Sequence, residues 1–298
     1  MFKGTFTALI TPFNGKKIDI TAFEKLVKFQ IGGGVDGVVI NGTTGESPNI
    51  KEREIDEMFE IASGIKKDMK SGIKIIIGAG ANSTEEVVKK TAHAHKLSPD
   101  GILSVTPYYN KPAQKGLIEH YKAAAAAAGD TAIILYNVPG RTGCNLMPDT
   151  VETLSHIDNI TAVKEASANL AQISEIHIKA CAKSKKGFSL LSGDDGLTLP
   201  ILSLGGSGVI SVTANIAPAL VKKCVSAFMA GDIISAREAH EKLFELNNAL
   251  FIESNPIPVK TAAALMGLCA EEFRLPLTQM SEDNRRKLIE TLKKYKLI

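Results

Sequence analysis

The sequence predicts an α/β fold, a (β/α)8 TIM barrel with a C-terminal helical extension. Three observations carry this. Eight short apolar runs rich in β-branched residues recur along the chain: FTALITP, GVVIN, KIIIGAG, GILSVTP, AIILYNV, ITAVKEA, FSLLSG and GVISVT. Segments with helical spacing follow them, among them Thr21 to Gln30, Lys51 to Met69, Thr84 to Leu97 and Leu170 to Lys183. The runs are apolar almost throughout, as strands buried on both faces are, which argues for a parallel sheet covered by helices. A count of eight favours closure into a barrel over an open sheet.

Local signals agree with this order. Asp19 and Ser83 place an oxygen acceptor ahead of two helical segments. The alanine run 123 to 128 is a strong helix former and meets a C-cap candidate at Gly129. The eighth run ends near Thr213, and the remaining residues read as helices broken at Gly231, around Pro256 and Pro258, and near Pro276. The expected organisation is a barrel domain over residues 1–230 and a helical extension over 231–298 suited to oligomer contacts.

Composition excludes several classes. The chain has 298 residues, 44% hydrophobic and 22% charged, with a net charge of +3. No long basic stripe with interleaved aromatics is present, so no nucleic-acid partner is expected. No apolar stretch approaches the roughly 20 residues needed to span a bilayer, so no membrane partner is expected either. The N-terminus lacks a basic segment followed by a long apolar run, and reads as a poor signal peptide. Cys144, Cys181, Cys224 and Cys269 are widely separated and form no CxxC pair, which fits free thiols in a reducing compartment. The expectation is a cytoplasmic protein.

In such barrels chemistry sits at the C-terminal ends of the strands. There the sequence is polar: NGTTGES at 41–47, TPYYNKP at 106–112, YNVPGRTG at 136–143 and SGDD at 192–195. Lys164 lies inside the sixth strand. Alternation puts it on one face with Ala162 and Ala166, and puts Val163 and Glu165 on the other. A lysine is almost never fully buried unless it is paired or used. Pairing with a barrel carboxylate is the ordinary explanation; the functional one is a Schiff-base nucleophile, which must be neutral to attack a carbonyl. An ordinary lysine is neutral about once in 2,500 at pH 7. Burial can bring a catalytic lysine to about pH 7–8, a shift worth about 4 kcal/mol.

The GTTG turn lets backbone N–H groups approach a carboxylate, although Gly/Thr turns are common. Tyr136 ends the fifth strand, where a phenol could exchange protons or simply fill the core. Arg141 lies in a Pro-Gly turn, and its planar fork suits a carboxylate as well as plain solvent exposure. Other motifs fail. Gly32, Gly34 and Gly37 match G-x-G-x-x-G but follow a helix and precede a strand, the reverse of the dinucleotide-binding context. His93 and His95 are two apart on a helix and share no face. Asp194 and Asp195 lack further ligands at suitable spacing, so no metal is expected. LGGSG at 204–208 reads as a tight turn before strand eight.

Taken in order around the predicted barrel, GTTGES, YNVPGRTG, AVKEAS and NPIPVK resemble the dihydrodipicolinate synthase family. That family belongs to the pyruvate-dependent class I aldolase superfamily, which includes N-acetylneuraminate lyase. The resemblance runs from ITPF at 10–13 to NPIPVK at 255–260. It implies that Lys164 forms an imine with pyruvate, with no metal or organic cofactor. Tyr136 would shuttle protons, and Thr43 would link it to Tyr109 of a neighbouring subunit. Thr44 and nearby N–H groups would hold the pyruvate carboxylate, with Ile210 contributing a carbonyl and Gly193 also at the substrate site. Arg141 would receive the carboxylate of L-aspartate 4-semialdehyde, the second substrate on the route to diaminopimelate and lysine. A homotetramer, a dimer of dimers, is implied.

Sialic acid lyases typically carry Ser at the position of Thr43 and lack an arginine at that of Arg141. A 2-keto-3-deoxy-sugar aldolase or N-acetylneuraminate lyase-like enzyme is therefore the alternative, and a keto-acid sensor without turnover is a third reading. Ser47, Asn82, Glu86 and Tyr108 match the family's lysine-effector cleft. Glu52 and Ile55 stand where lysine-inhibited bacterial members have histidines.

Overall fold

The β-branched runs do form strands, and the backbone closes them on themselves. The computed structural model describes residues 1–298. The barrel strands are β1 (Gly4–Ala8), β2 (Gly37–Ile40), β3 (Lys74–Gly78), β4 (Gly101–Val105), β5 (Ile133–Asn137), β6 (Ile160–Glu165), β7 (Ser189–Ser192) and β8 (Gly208–Ser211). They form a closed parallel barrel in the order β1-β8-β7-β6-β5-β4-β3-β2, the (β/α)8 architecture expected from the alternation. A helix follows each strand: α1 (Ile20–Gly32), α2 (Glu52–Asp68), α3 (Thr84–Lys96), α4 (Gln114–Ala127), α5 (Pro148–Ser155), α6 (Leu170–Ile176), α7 (Thr198–Ser203) and α8 (Pro218–Met229). The C-terminal extension is present as α9 (Ile233–Ala249), α10 (Ile257–Leu265) and α11 (Glu282–Lys294).

The chain divides into two compact units, Met1–Gly4 with Ile76–Ile210 and Thr5–Ile75 with Ser211–Ile298. In the first, the ladder of β4 to β7 sets Val105 beside Tyr136, Tyr136 beside Lys164, and Lys164 beside Leu191. Ile133, Ile134, Leu135, Val163, Leu190 and Leu191 are fully buried there. In the second, Leu26, Ile216, Leu246, Val259, Leu288 and Leu292 form a shared core that draws α9, α10 and α11 together. Each such side chain contributes about 1.5–3 kcal/mol on leaving water.

Caps and turns largely follow the sequence. The Asp19 carboxylate accepts from the Ala22 N–H at 2.9 Å and starts α1. Ser83 sits at the N-cap of α3 but makes no side-chain cap bond. Gly129 adopts φ +56 just past α4. Gly205 and Gly208 have φ of +92 and +156, and a Cβ on Gly208 would stand 1.9 Å from the Gly4 carbonyl oxygen, so LGGSG is a steric turn. One helix departs from expectation. α6 ends at Ile176 and passes into a π-helical turn, His177–Cys181, closed by the Ala182 N–H on the His177 carbonyl at 2.9 Å. The apolar spacing reports a buried face and is blind to the one-residue insertion that makes such a turn.

Candidate active site

Lys164 is buried, 5% exposed, on the inner face of β6 as alternation requires. Its ammonium stands over the Tyr136 ring, 4.2 Å from the centroid, and makes no ion pair. Burial pulls its pKa down to about 8; the Arg141 charge pulls the same way, and Asp195 opposes both. About a tenth of such a lysine is neutral at pH 7, roughly 300-fold more than for a free one. The ring face favours the ammonium form, but desolvation is the larger effect here. This arrangement suits nucleophilic attack on a carbonyl carbon.

Room for the side chain comes from Gly193. A Cβ there would lie 2.9 Å from Lys164 Cε and 2.9 Å from the Ala166 Cβ. The same SGDD segment is folded tightly: Ser192 Oγ donates to the Asp194 carbonyl at 2.7 Å, and the Asp194 carboxylate caps the turn through the Gly196 N–H at 2.9 Å. That turn buries Asp195, whose charge opposes Arg141 at Lys164.

Arg141 is exposed on a single helical turn, Pro139–Thr142, that follows β5. Thr142 anchors the turn. Its hydroxyl donates to the Cys144 carbonyl at 2.8 Å and accepts from Thr106 at 3.3 Å. Its carbonyl accepts from the Tyr109 N–H at 3.3 Å, which joins the Arg141 turn to the TPYYNKP loop. Tyr109 takes φ +73 and is 88% exposed. Asn110 donates to the Asn82 carbonyl at 2.9 Å, so the Tyr108 loop and the start of α3 are held together. Glu86 is exposed on α3 and pairs with Lys89 at 3.5 Å.

Behind Lys164, on the other face of β6, Glu165 is fully buried. It accepts from Asn137 at 3.0 Å, from Gln172 at 3.4 Å and from the Ser167 N–H at 2.7 Å. Asn145 completes the ring by bonding Asn137 and Gln172, each at 2.8 Å. Burial pushes the Glu165 carboxyl up against the pull of these donors. The network ties β5, which carries Tyr136, to β6, which carries Lys164. Alternation in the sequence puts Glu165 on the face opposite Lys164 and gives it no role; a glutamate beside a buried lysine in AVKEAS is the available signal.

The GTTGES turn belongs to the second unit. Thr43–Gly45 form a 3-10 turn, flanked by Asn41 at φ +56 and Glu46 at φ +60. The Thr11 hydroxyl fixes the Gly45 carbonyl at 2.7 Å. Thr44 is buried, while Thr43 and Ser47 are half-buried. Glu46 is wholly buried and pairs with Lys260, also wholly buried, on α10. In the sequence NPIPVK is only a marker of resemblance, and nothing in its spacing points Lys260 to a partner so far away. Ile210 is buried in β8. No group of three or more His, Cys, Asp or Glu side chains is arranged to hold a metal ion, and no helix is long and apolar enough to cross a membrane.

Fold and site define a (β/α)8-barrel enzyme with a buried, unpaired lysine on its sixth strand. A model of the Dihydrodipicolinate synthetase family matches residues 1–295, and the chain belongs to that family. It is 49% identical over 298 residues, the whole of both chains, to 4-hydroxy-tetrahydrodipicolinate synthase of Geotalea uraniireducens. Among solved structures it resembles the chloride-inhibited dihydrodipicolinate synthase of Acinetobacter baumannii complexed with pyruvate, with 39% identity, TM-score 0.94 and full coverage of both chains. It is similar at 39% identity and TM-score 0.94 to the Cyanidioschyzon merolae enzyme with lysine bound, covering 100% of this chain and 99% of that one.

Proposed function

We propose that the protein is a lyase acting as 4-hydroxy-tetrahydrodipicolinate synthase in lysine biosynthesis, condensing pyruvate with L-aspartate 4-semialdehyde. The observation that carries this is Lys164: buried, unpaired, and held near pH 8 in a family whose Acinetobacter member is described with pyruvate. The relatives favour the synthase over the sugar aldolase set out above.

The chemistry then runs on the chain's own groups. Neutral Lys164 attacks the keto carbon of pyruvate, and loss of water gives a protonated imine. That cation is an electron sink, so the methyl carbon releases a proton and becomes an enamine. The enamine carbon attacks the aldehyde carbon, whose oxygen takes up a proton. The substrate's own amine then displaces Lys164 from the imine carbon, closing the ring and freeing the enzyme. Tyr136 lies against the amine and serves as the proton donor and acceptor for these steps, relayed through Thr43 and a partner subunit's Tyr109. No metal or organic cofactor takes part. Thr44 receives the pyruvate carboxylate, and Ile210 and Gly193 line the substrate site. The exposure of Tyr109 supports a role across subunits in a homotetramer. The barrel chemistry uses soluble small molecules and fits the cytoplasm.

Arg141 takes the semialdehyde carboxylate. Arg141→Ala should still trap pyruvate with borohydride, while kcat/KM for the semialdehyde falls on the order of 100-fold, the loss of a charge-assisted bidentate contact. Equal loss of both steps would contradict this division. Ser47, Asn82, Glu86 and Tyr108 form the effector cleft for L-lysine, supported by the lysine-bound Cyanidioschyzon relative. Turnover should fall as L-lysine rises to millimolar levels; unchanged turnover would remove the cleft from the account.

A further inference from the structure

The side chains flanking Gly45 on the GTTGES turn are each held by one short C-terminal segment. Asn255 Nδ2 donates to Thr44 Oγ1 at 3.0 Å, with both residues buried. Lys260 pairs with the Glu46 carboxylate, donates to the Glu272 carbonyl at 3.0 Å, and lies 4.2 Å from the Phe13 ring centroid. The Arg274 N–H holds the second Glu46 oxygen at 3.1 Å. Glu46 needs this grip, because a left-handed φ costs a non-glycine residue about 1–2 kcal/mol.

The bond to Thr44 has a direction. A hydroxyl has one proton, and here its oxygen is occupied as an acceptor from the Asn255 amide. No acceptor in the folded chain takes the Thr44 proton. A hydroxyl that already accepts from Asn255 keeps its proton aimed away from the amide and free to donate to whatever the turn receives, which is what a carboxylate requires.

We propose that Asn255 is a positioning residue that fixes the Thr44 hydroxyl as a donor to the keto-acid carboxylate, on a turn braced by the Lys260–Glu46 pair. This rests on the reading that the turn receives pyruvate. Asn255→Asp separates the proposal from mere packing. It keeps the shape, but a carboxylate is acceptor-only. It draws the Thr44 proton to itself and sets a negative charge beside the carboxylate site. Asn255→Ala only releases the hydroxyl to rotate.

The test is steady-state kinetics in both substrates, with Thr44→Val as the reference. Thr44→Val should raise the pyruvate KM by about tenfold or more, one lost hydrogen bond to a charged carboxylate, and Asn255→Ala by about threefold to tenfold, since the freed hydroxyl can still turn to donate. Asn255→Asp should raise it on the order of 100-fold, as for a buried like-charge contact. The semialdehyde KM should stay within about twofold in all three. An aspartate variant no worse than the alanine variant, or equal shifts for both substrates, would overturn the proposal. Should the aspartate variant fail to fold, Asn255→Ala carries the test, and an unchanged pyruvate KM overturns it. An unaffected pyruvate KM in Thr44→Val would instead refute the carboxylate reading itself, and the proposal with it.

Discussion

Lys164→Met should remove imine formation and turnover while making the protein more stable. Methionine matches the length of the lysine stem and carries no charge. The free ammonium has a pKa of 10.5 and the folded one about 8. Below pH 8 the lysine is protonated in both states, so the folded state bears the full cost of a buried cation, about 3 kcal/mol. Between pH 8 and 10.5 the folded lysine is neutral while the unfolded one still binds a proton, so wild-type stability rises with pH. The gain from methionine is therefore largest below pH 8 and fades toward pH 10.5. Thermal melts at pH 7 should show a Tm higher by roughly 5–10 °C. The difference should narrow at pH 10. A Tm that falls at pH 7 would mean that Lys164 is paired rather than poised.

The second large effect lies at Lys260. It and Glu46 are both fully buried, so their attraction stands against the desolvation of two charges. Lys260→Met leaves the Glu46 carboxylate in the core with the Arg274 N–H as its hydrogen-bond donor and only the more distant Arg274 charge to offset it. The methionine still fills the space against Phe13 and Phe273, so the loss is one of charge rather than volume. Removing one partner of such a pair costs about 3–5 kcal/mol. Tm should drop by roughly 5–15 °C. Glu46→Gln in the same chain removes the stranded charge and keeps an acceptor for Arg274, and should restore most of the loss. A single variant within about 2 °C of wild type would show that the pair does not brace the turn.

These two lysines also mark what the sequence discloses. Both lie in quoted motifs, yet only Lys164 was readable as chemistry. Strand alternation gives its face, neighbouring alanines give the space, and the eight-strand count makes that face interior. Lys260 sits 214 positions from Glu46, and Asn255 sits 211 from Thr44. Periodicity reports which face of an element is buried, never which partner is brought to it. The same limit hid the Glu165 network, where Asn137, Asn145 and Gln172 come from three separate segments. It also hid the steric reason for Gly193, which depends on a side chain from the adjacent strand. The barrel itself was legible because each strand and helix carries its own periodic signature.

Lys164 is expected to bond covalently to the keto carbon of pyruvate. The most direct test is borohydride reduction of the protein in the presence of pyruvate, followed by peptide mass spectrometry. One adduct should form per chain, confined to Lys164, and its rate of formation should rise with pH toward 8 as the neutral amine accumulates. No adduct, or an adduct on any other lysine with Lys164 unmodified, would contradict the account.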